Sequence, residues 1–381
     1  MPPSDSAGDT VAAFGPVLRG GKTVDKVRFG VVGAGWISQI AFMPGVAAAG
    51  NAVMTAIVSG NAANAKKLAD FYGIDRIYGY DQYDAMLADD VVDAVYIALP
   101  NSMHADYTIR AARAGKHVLV EKPLAVTEAE CEAMIAAAAE AGVWLMTAYR
   151  LHNEPGTLEV LRLIREGAIG TPRIFSSVFG FQSTPDNHRL KAEHWGGPLQ
   201  DLGVYCVNAA RHIFAAEPVE AIAMTVRGDN DPRFTEVEES IGATLRFPNG
   251  GIAQFVASFG CAGIDQYRIV GSEGEISLNP GFRFETATRM RLTRGAETTE
   301  RVFPQTDHFA GQTAYFAECI LNGTRPESDG EEGLADMRAL LAIERAANTG
   351  APQPISNPPR PRHPTPDMAR VLPVTDRRLM L

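Results

Sequence analysis

Cysteine is scarce in this chain: Cys131, Cys206, Cys261 and Cys319 stand far apart among 381 residues. With no Cys-x-x-Cys pair, a zinc ribbon or redox dithiol is excluded, and buried, reduced thiols are expected. No run of about 18 apolar residues exists for a membrane span. Basic residues are also in deficit, 35 Lys and Arg against 45 Asp and Glu, for a formal charge of −10. That is the wrong sign for a nucleic-acid groove, so neither nucleic acid nor membrane is an expected partner. The opening Met1-Pro2-Pro3-Ser4-Asp5 has no basic stretch leading into an apolar core. No export signal is read there, and the cytoplasm is the expected location.

A hydrophobic fraction of 46% is that of a soluble globular protein. The length exceeds one ordinary core, so two domains are expected. Residues 1–25, rich in Gly, Pro, Ser and Thr, read as an arm. From residue 26 to 148, short apolar strands alternate with helical stretches. Strands are expected at 27–32, 53–59, 94–98, 117–120 and 144–147, with helices at 62–71, 105–114 and 128–141. This is the grammar of βαβ units and a parallel sheet covered on both faces. From 149 to 350 the texture changes. After one helix near 157–166 come strand-like runs at 173–179, 221–227, 240–247, 252–258, 267–270 and 275–278, separated by turns such as Pro248-Asn249-Gly250. Helices near 309–321 and 332–347 close this part, and residues 351–381 form a proline-rich tail. The expected fold is therefore α/β plus α+β: an N-terminal Rossmann domain with a parallel sheet, then an open, mainly antiparallel sheet flanked by helices.

Directly after the first strand stands Gly33-Ala34-Gly35-Trp36-Ile37-Ser38, a G-x-G-x-x-S turn. Its first glycine permits a tight turn, its second lets a pyrophosphate approach, and the helix behind supplies amide donors. At the end of the second strand, where a ribose-binding carboxylate is expected for NAD, the chain reads Ser59-Gly60-Asn61. Without that carboxylate a 2′-phosphate meets no repulsion, and Ser59, Asn61 and Lys66 can donate to it, so NADP is favoured. The alternative is that lysines 66 and 67 are ordinary solvated helix charges. Pro100 and Asn101 follow the fourth strand and Glu121-Lys122-Pro123 the fifth, where loops line the ligand crevice of an open α/β sheet. A cis bond before Pro123 would fix where Lys122 points.

Asp201 and Tyr205 lie four apart in Gly196-Gly197-Pro198-Leu199-Gln200-Asp201-Leu202-Gly203-Val204-Tyr205. If 202–213 is helical, they share a face. A free phenol, with a pKa of about 10, is a poor base at neutral pH. An ammonium about 4 Å away, at an effective dielectric near 20, favours a phenolate by roughly 4 kcal/mol before desolvation is counted. The expected catalytic group is thus Tyr205 as proton acceptor, Lys122 as its electrostatic partner and Asp201 as the residue that holds substrate. The bland reading makes Asp201 a helix cap and Tyr205 a core residue. His104 either reaches the nicotinamide pocket or merely opens a helix, and Arg150 either contacts the cofactor or pairs with a carboxylate. Trp195 either walls the substrate pocket or fills the core. The other histidines show no metal-ligand spacing, and hydride transfer to a nicotinamide needs no metal.

At these residues the chain resembles the glucose–fructose oxidoreductase branch of the Gfo/Idh/MocA oxidoreductases, from about Val27 to Gly350. GAGWIS, SGNA, DAVYIALPNSMHA, AGKHVLVEKP and GGPLQDLGVYCVNAARHIF together carry the likeness. It implies catalysis by Lys122 and Tyr205, substrate at Asp201 and a subunit interface on the outer face of the second sheet, hence a homodimer. It also implies NADP that stays bound while one aldose is oxidised to its lactone and a second sugar carbonyl is reduced, giving an alditol. A simple NADP-linked sugar dehydrogenase that releases NADPH is the alternative enzyme. A non-catalytic dinucleotide sensor would be expected to have lost Lys122 or Tyr205.

Overall fold

A computed structural model of the chain describes residues 18–19, 22–23, 25–228 and 230–381. Most of the expected arm, residues 1–25, lies outside the described residues, which retain only β1 (Leu18–Arg19), β2 (Lys22–Thr23) and Asp25 there. The core begins with β3 (Val27–Val32), after which the chain passes through a π-helical turn, Ser38–Phe42, into α1 (Met43–Ala48). Next come β4 (Ala52–Val58), α2 (Ala62–Tyr72), β5 (Arg76–Tyr78) and α3 (Tyr83–Ala88). They are followed by β6 (Ala94–Ile97), α4 (His104–Arg113), β7 (His117–Val120), α5 (Glu128–Ala141) and β8 (Leu145–Thr147). These strands form a parallel sheet in the order β5-β4-β3-β6-β7-β8. Its central strands are mostly apolar because helices cover both faces. The strand order reverses at β3, so the turns after β3 and β6 open onto one crevice.

The second part opens with α6 (Pro155–Arg165) and β9 (Pro172–Gln182), then α7 (Val204–Phe214), β10 (Glu220–Val226), β11 (Ser240–Arg246) and β12 (Ile252–Ser258). It continues through β13 (Gly260–Gly271), β14 (Glu275–Asn279), β15 (Thr288–Arg294) and β16 (Glu297–Phe303) to α8 (His308–Asn322), α9 (Gly330–Thr349) and β17 (Gln353–Pro354). The sheet order is β16-β15-β14-β13-β9-β12-β11-β10-β17, antiparallel except where β12 runs with β9. Strand alternation sends Phe175, Phe179, Phe255, Tyr267 and Ile269 inward against the helices. The opposite face, with Ile174, Ile222, Met224, Ile252 and Val256, is exposed. Helix α8 packs on α1, β3 and β4 of the parallel sheet, so late sequence completes the early core. No helix of the described residues is long and apolar enough to cross a membrane. All four cysteines are free.

Candidate active site

The glycine turn has two kinds of glycine. Gly33 adopts φ +92°, and a Cβ there would come within 2.4 Å of the Ala98 carbonyl, so the adjacent strand ends demand glycine. Gly35 is exposed, and a Cβ on it would meet nothing within 4 Å. Open space above a backbone turn at a helix start suits a pyrophosphate, and nothing in the protein's own packing requires glycine there. Ser38 locks the turn from below, its hydroxyl donating to the Gly33 carbonyl at 2.6 Å. Trp36 is exposed beside it, and Ile37 is half-buried.

At the end of β4, Asn61 caps α2 by accepting from the Asn64 N–H at 3.0 Å, and the Ser59 hydroxyl accepts from the Asn61 N–H at 3.2 Å. Both residues border solvent without a carboxylate between them, which fits a phosphorylated ribose. Lys66 departs from expectation. Its ammonium pairs with Asp70 one turn along the exposed face of α2, where the i,i+4 spacing brings the two charges together.

At the opposite lip, Asn101 donates to the Trp195 carbonyl at 3.0 Å, tying the loop after β6 to the segment before Asp201. Pro100 precedes it in extended conformation. His104 lies beneath this lip, fully buried. Its two ring nitrogens lie 2.9 Å from the carbonyls of Pro123 and Leu99. Burial lowers its pKa, and the ring braces two site loops without facing the crevice. Trp195 is half-buried, and its indole N–H donates to Glu344 of α9 at 3.2 Å.

The charged centre gathers around Asp201. The Lys122–Pro123 peptide is cis. The Lys122 ammonium donates to the Asp201 carbonyl at 2.8 Å and to its Oδ1 at 2.9 Å. On the other side Arg189 Nε stands 3.1 Å from Oδ2. Burial would push the Asp201 carboxyl up, but Arg189 and Lys122 hold it well below the usual carboxylate range. Burial likewise works against the Lys122 charge, and Asp201, then Tyr205 and Glu121, outweigh it and raise its pKa. Asp201 therefore binds two cations, beyond its expected single role of holding substrate. It lies in a π-helical turn, Leu199–Gly203, that leads into α7, whereas the sequence suggested a helix from 202. π turns inside helices recur at functional sites because they re-aim side chains.

Tyr205 occupies the first turn of α7. The Lys122 ammonium lies 4.8 Å from its ring centroid and the Arg150 guanidinium 5.1 Å, while Phe179 and Phe282 pack around it. Lys122 thus approaches through the ring face, a cation–π contact worth about 0.5–2 kcal/mol. Arg150 is buried behind the tyrosine, one terminal nitrogen 2.9 Å from His308 Nδ1 and the other on the Phe282 carbonyl, so it supports the phenol ring from within the core. Glu121 accepts from the Tyr96 hydroxyl at 2.6 Å, and burial raises its pKa against the pull of Lys122. The sequence reading missed Arg189 and Tyr96. Arg189 sits in a loop with no motif of its own, and Tyr96 reads simply as an apolar strand residue.

Behind α7, His152, His212 and Glu332 bring ligand-type atoms within 4.8 Å of one another. Glu332 is already bound by the Arg211 and Arg360 guanidinium groups, so a dication would meet two positive charges. This is a buried charge network that anchors α7 to α9.

A dinucleotide turn, a carboxylate-free second strand and a lysine–aspartate–tyrosine group across one crevice define a nucleotide-dependent oxidoreductase. Comparison with known proteins agrees. Residues 27–149 match the oxidoreductase family with an NAD-binding Rossmann fold, and residues 157–277 match the GFO/IDH/MocA C-terminal domain. The chain belongs to the Gfo/Idh/MocA oxidoreductase family. It is 32% identical to D-xylose 1-dehydrogenase [NADP(+)] of Haloarcula marismortui, over 86% of this chain and 92% of that protein. Its fold superposes on the aldose-aldose oxidoreductase of Caulobacter crescentus, solved with glycerol, at a TM-score of 0.83 and 36% identity, covering 87% of this chain and 100% of that one. KijD10, a 3-ketoreductase from Actinomadura kijaniata solved with NADP and TDP-benzene, aligns at a TM-score of 0.77 and 31% identity, covering 84% and 98% respectively.

Proposed function

We propose that the protein is an NADP-dependent aldose oxidoreductase that oxidises an aldose at C1 to its lactone and reduces a second aldose to an alditol on the same tightly held cofactor. Residues 26–148 bind the dinucleotide, residues 149–350 bind sugar and form a homodimer, and residues 351–381 are a tail. The observation that carries this reading is the Lys122–Asp201 pair packed on the Tyr205 ring, across the crevice from the open Gly35 turn. The NADP-linked and sugar-linked names of the aligned proteins support it.

The nicotinamide, when bound, supplies the carbon that takes and returns hydride. Tyr205 accepts the proton of the C1 hydroxyl in the first half-reaction and donates it to the carbonyl oxygen of the second sugar in the other. Lys122, kept charged by Asp201, stabilises negative charge on the phenolic oxygen, a general acid–base arrangement. Asp201 fixes Lys122 and borders the sugar. Gly33, Gly35, Trp36, Ile37, Ser59 and Asn61 line the dinucleotide side, with Pro100, Asn101 and Glu121 at the nicotinamide end.

Dialysed protein supplied with an aldose mixture and no added cofactor tests this. Lactone and alditol formed in equal amounts, with NADP released only on denaturation, is the expected result. A requirement for added NADP with steady release of NADPH would instead favour a simple dehydrogenase, the reading that the D-xylose 1-dehydrogenase likeness supports.

A further inference from the structure

Arg189 is held from three directions. It lies in the turn His188–Leu190, where the Asn187 side chain accepts from its backbone N–H at 3.0 Å. Its carbonyl accepts from the Gly197 N–H at 2.8 Å, and a Cβ on Gly196 would fall 2.2 Å from that same oxygen. The glycine pair before Asp201 thus exists in part to let the chain close over Arg189. Its Nε then stands 3.1 Å from Asp201 Oδ2, an ion pair that holds the guanidinium against the carboxylate.

What remains is informative. A guanidinium carries five N–H donors in a rigid fork, and Asp201 engages only the Nε edge. Neither terminal nitrogen has a hydrogen-bond partner among the described residues. Neither is among the sealed, unpartnered atoms of the interior, and the side chain is 27% exposed. Arg189 shares Asp201 with Lys122, and Lys122 lies over the Tyr205 ring, so the guanidinium belongs to the same cluster as the phenol. An arginine placed only to neutralise Asp201 would satisfy both carboxylate oxygens through a bidentate pair. Here Lys122 takes one oxygen, Arg189 takes the other, and the terminal nitrogens of a partly exposed side chain are left without a protein partner.

We propose that Arg189 is a substrate-binding residue whose terminal N–H groups donate to hydroxyl oxygens on the carbons next to the one oxidised, selecting sugars that keep those hydroxyls. This rests on the aldose reading above and deepens it by naming the part of the sugar that is recognised. Asp201 then has a double task, since it orients Lys122 towards the phenol and Arg189 towards the neighbouring hydroxyls.

Steady-state kinetics on a turned-over aldose and its 2-deoxy and 3-deoxy analogues, with wild type, Arg189→Leu and Arg189→Lys, test this. A site built to hydrogen-bond a hydroxyl rejects the analogue that lacks it. The wild type is expected to prefer the full aldose over at least one analogue by roughly tenfold or more in kcat/KM. In Arg189→Leu that ratio should fall to about twofold, because activity on the full aldose drops while activity on the analogue hardly changes. Arg189→Lys keeps the charge on Asp201 without the fork, so it should also lose discrimination, and it serves if the leucine variant fails to fold. Variants that slow all three sugars equally, with the ratio unchanged, would reduce Arg189 to a scaffold for Asp201 and overturn the inference alone. Failure of the wild type to turn over any aldose would overturn the functional reading and this inference with it.

Discussion

At the scale of single residues, the site contrasts groups that touch chemistry with groups that hold them. Tyr205→Phe removes the hydroxyl and leaves the ring on which Lys122 and Arg150 pack. Turnover should fall by about 10²–10⁴, the range for losing one general acid–base group. Bound NADP and the melting temperature should stay unchanged, and a fully active variant would sink the assignment. Gly35→Val probes the other side. A Cβ at this position meets no protein atom within 4 Å, so the apo melting temperature should hold within a degree or so while NADP binding weakens at least tenfold in titration. Asp201→Asn strands two cations in a site that is mostly buried, which should destabilise the fold by on the order of 3 kcal/mol at pH 7. The sign of the pH effect follows from its depressed carboxyl pKa. Folded Asp201 stays ionised where the unfolded chain takes up a proton, so its stabilisation is complete above about pH 4 and declines as pH falls further. Denaturant unfolding of wild type and variant should therefore converge at low pH; a constant gap from pH 7 to pH 3 would show that the carboxylate charge is not what stabilises the site.

At the scale of elements, α7 carries the proposed proton acceptor, Tyr205, at its first turn and its anchor at its last. Arg211, fully buried, binds Glu217 at 2.6 Å, Glu332 at 2.6 Å and Asp336 at 2.7 Å. Arg211→Leu leaves these carboxylates without their cation, and breaking such a network is expected to cost about 3–5 kcal/mol. A lower melting temperature together with lower turnover is predicted, since α7 also positions Tyr205. An unshifted melting curve would contradict the anchoring role. Elements of this kind were legible to different degrees. Val27–Val32 and His117–Val120 read out as strands because they are short, mostly apolar, valine-rich runs, and Glu128–Ala141 as a helix because Thr127 and Glu130 form a capping box before an alanine-rich stretch. The three residues of β5 are too short to carry a pattern. Strand β15 and the edge strand β16, with Arg, Thr and Glu at most positions, carry too few apolar residues to stand out as half-buried strands. The first half of β13, Gly260-Cys261-Ala262-Gly263, reads as a turn and pairs only through an irregular register. Lys122, Asp201 and Tyr205 were legible as a group because their motifs are distinctive. That Lys122 would meet the ring face of Tyr205, and that Arg189 would share Asp201, depends on a loop whose path only tertiary packing decides.

At the scale of the whole molecule, the nine-stranded sheet presents one face without a covering layer among the described residues, and apolar rows run across it. Register places Met224 beside Gly242, Gly242 beside Val256 and Val256 beside Val178. A second row joins Ile252 to Ile174. Met224 is 71% exposed and Val256 45%. Scattered apolar residues are normal on a surface, but a contiguous patch across four strands marks an interaction site. A two-fold pairing of identical faces would cover it and satisfy the self-complementarity of a symmetric dimer. The same pairing would stiffen β9, whose inner-face Phe179 packs on Tyr205, so that assembly and catalysis would share a strand. Glutamates at Met224 and Val256 would set like charges against each other at the centre of such an interface. Sedimentation of the double variant should give a monomer where wild type gives a dimer, and the inward-facing Tyr205 environment should survive in the folded monomer, with reduced turnover as β9 loosens. A dimer that persists unchanged in the double variant would remove this face from the assembly.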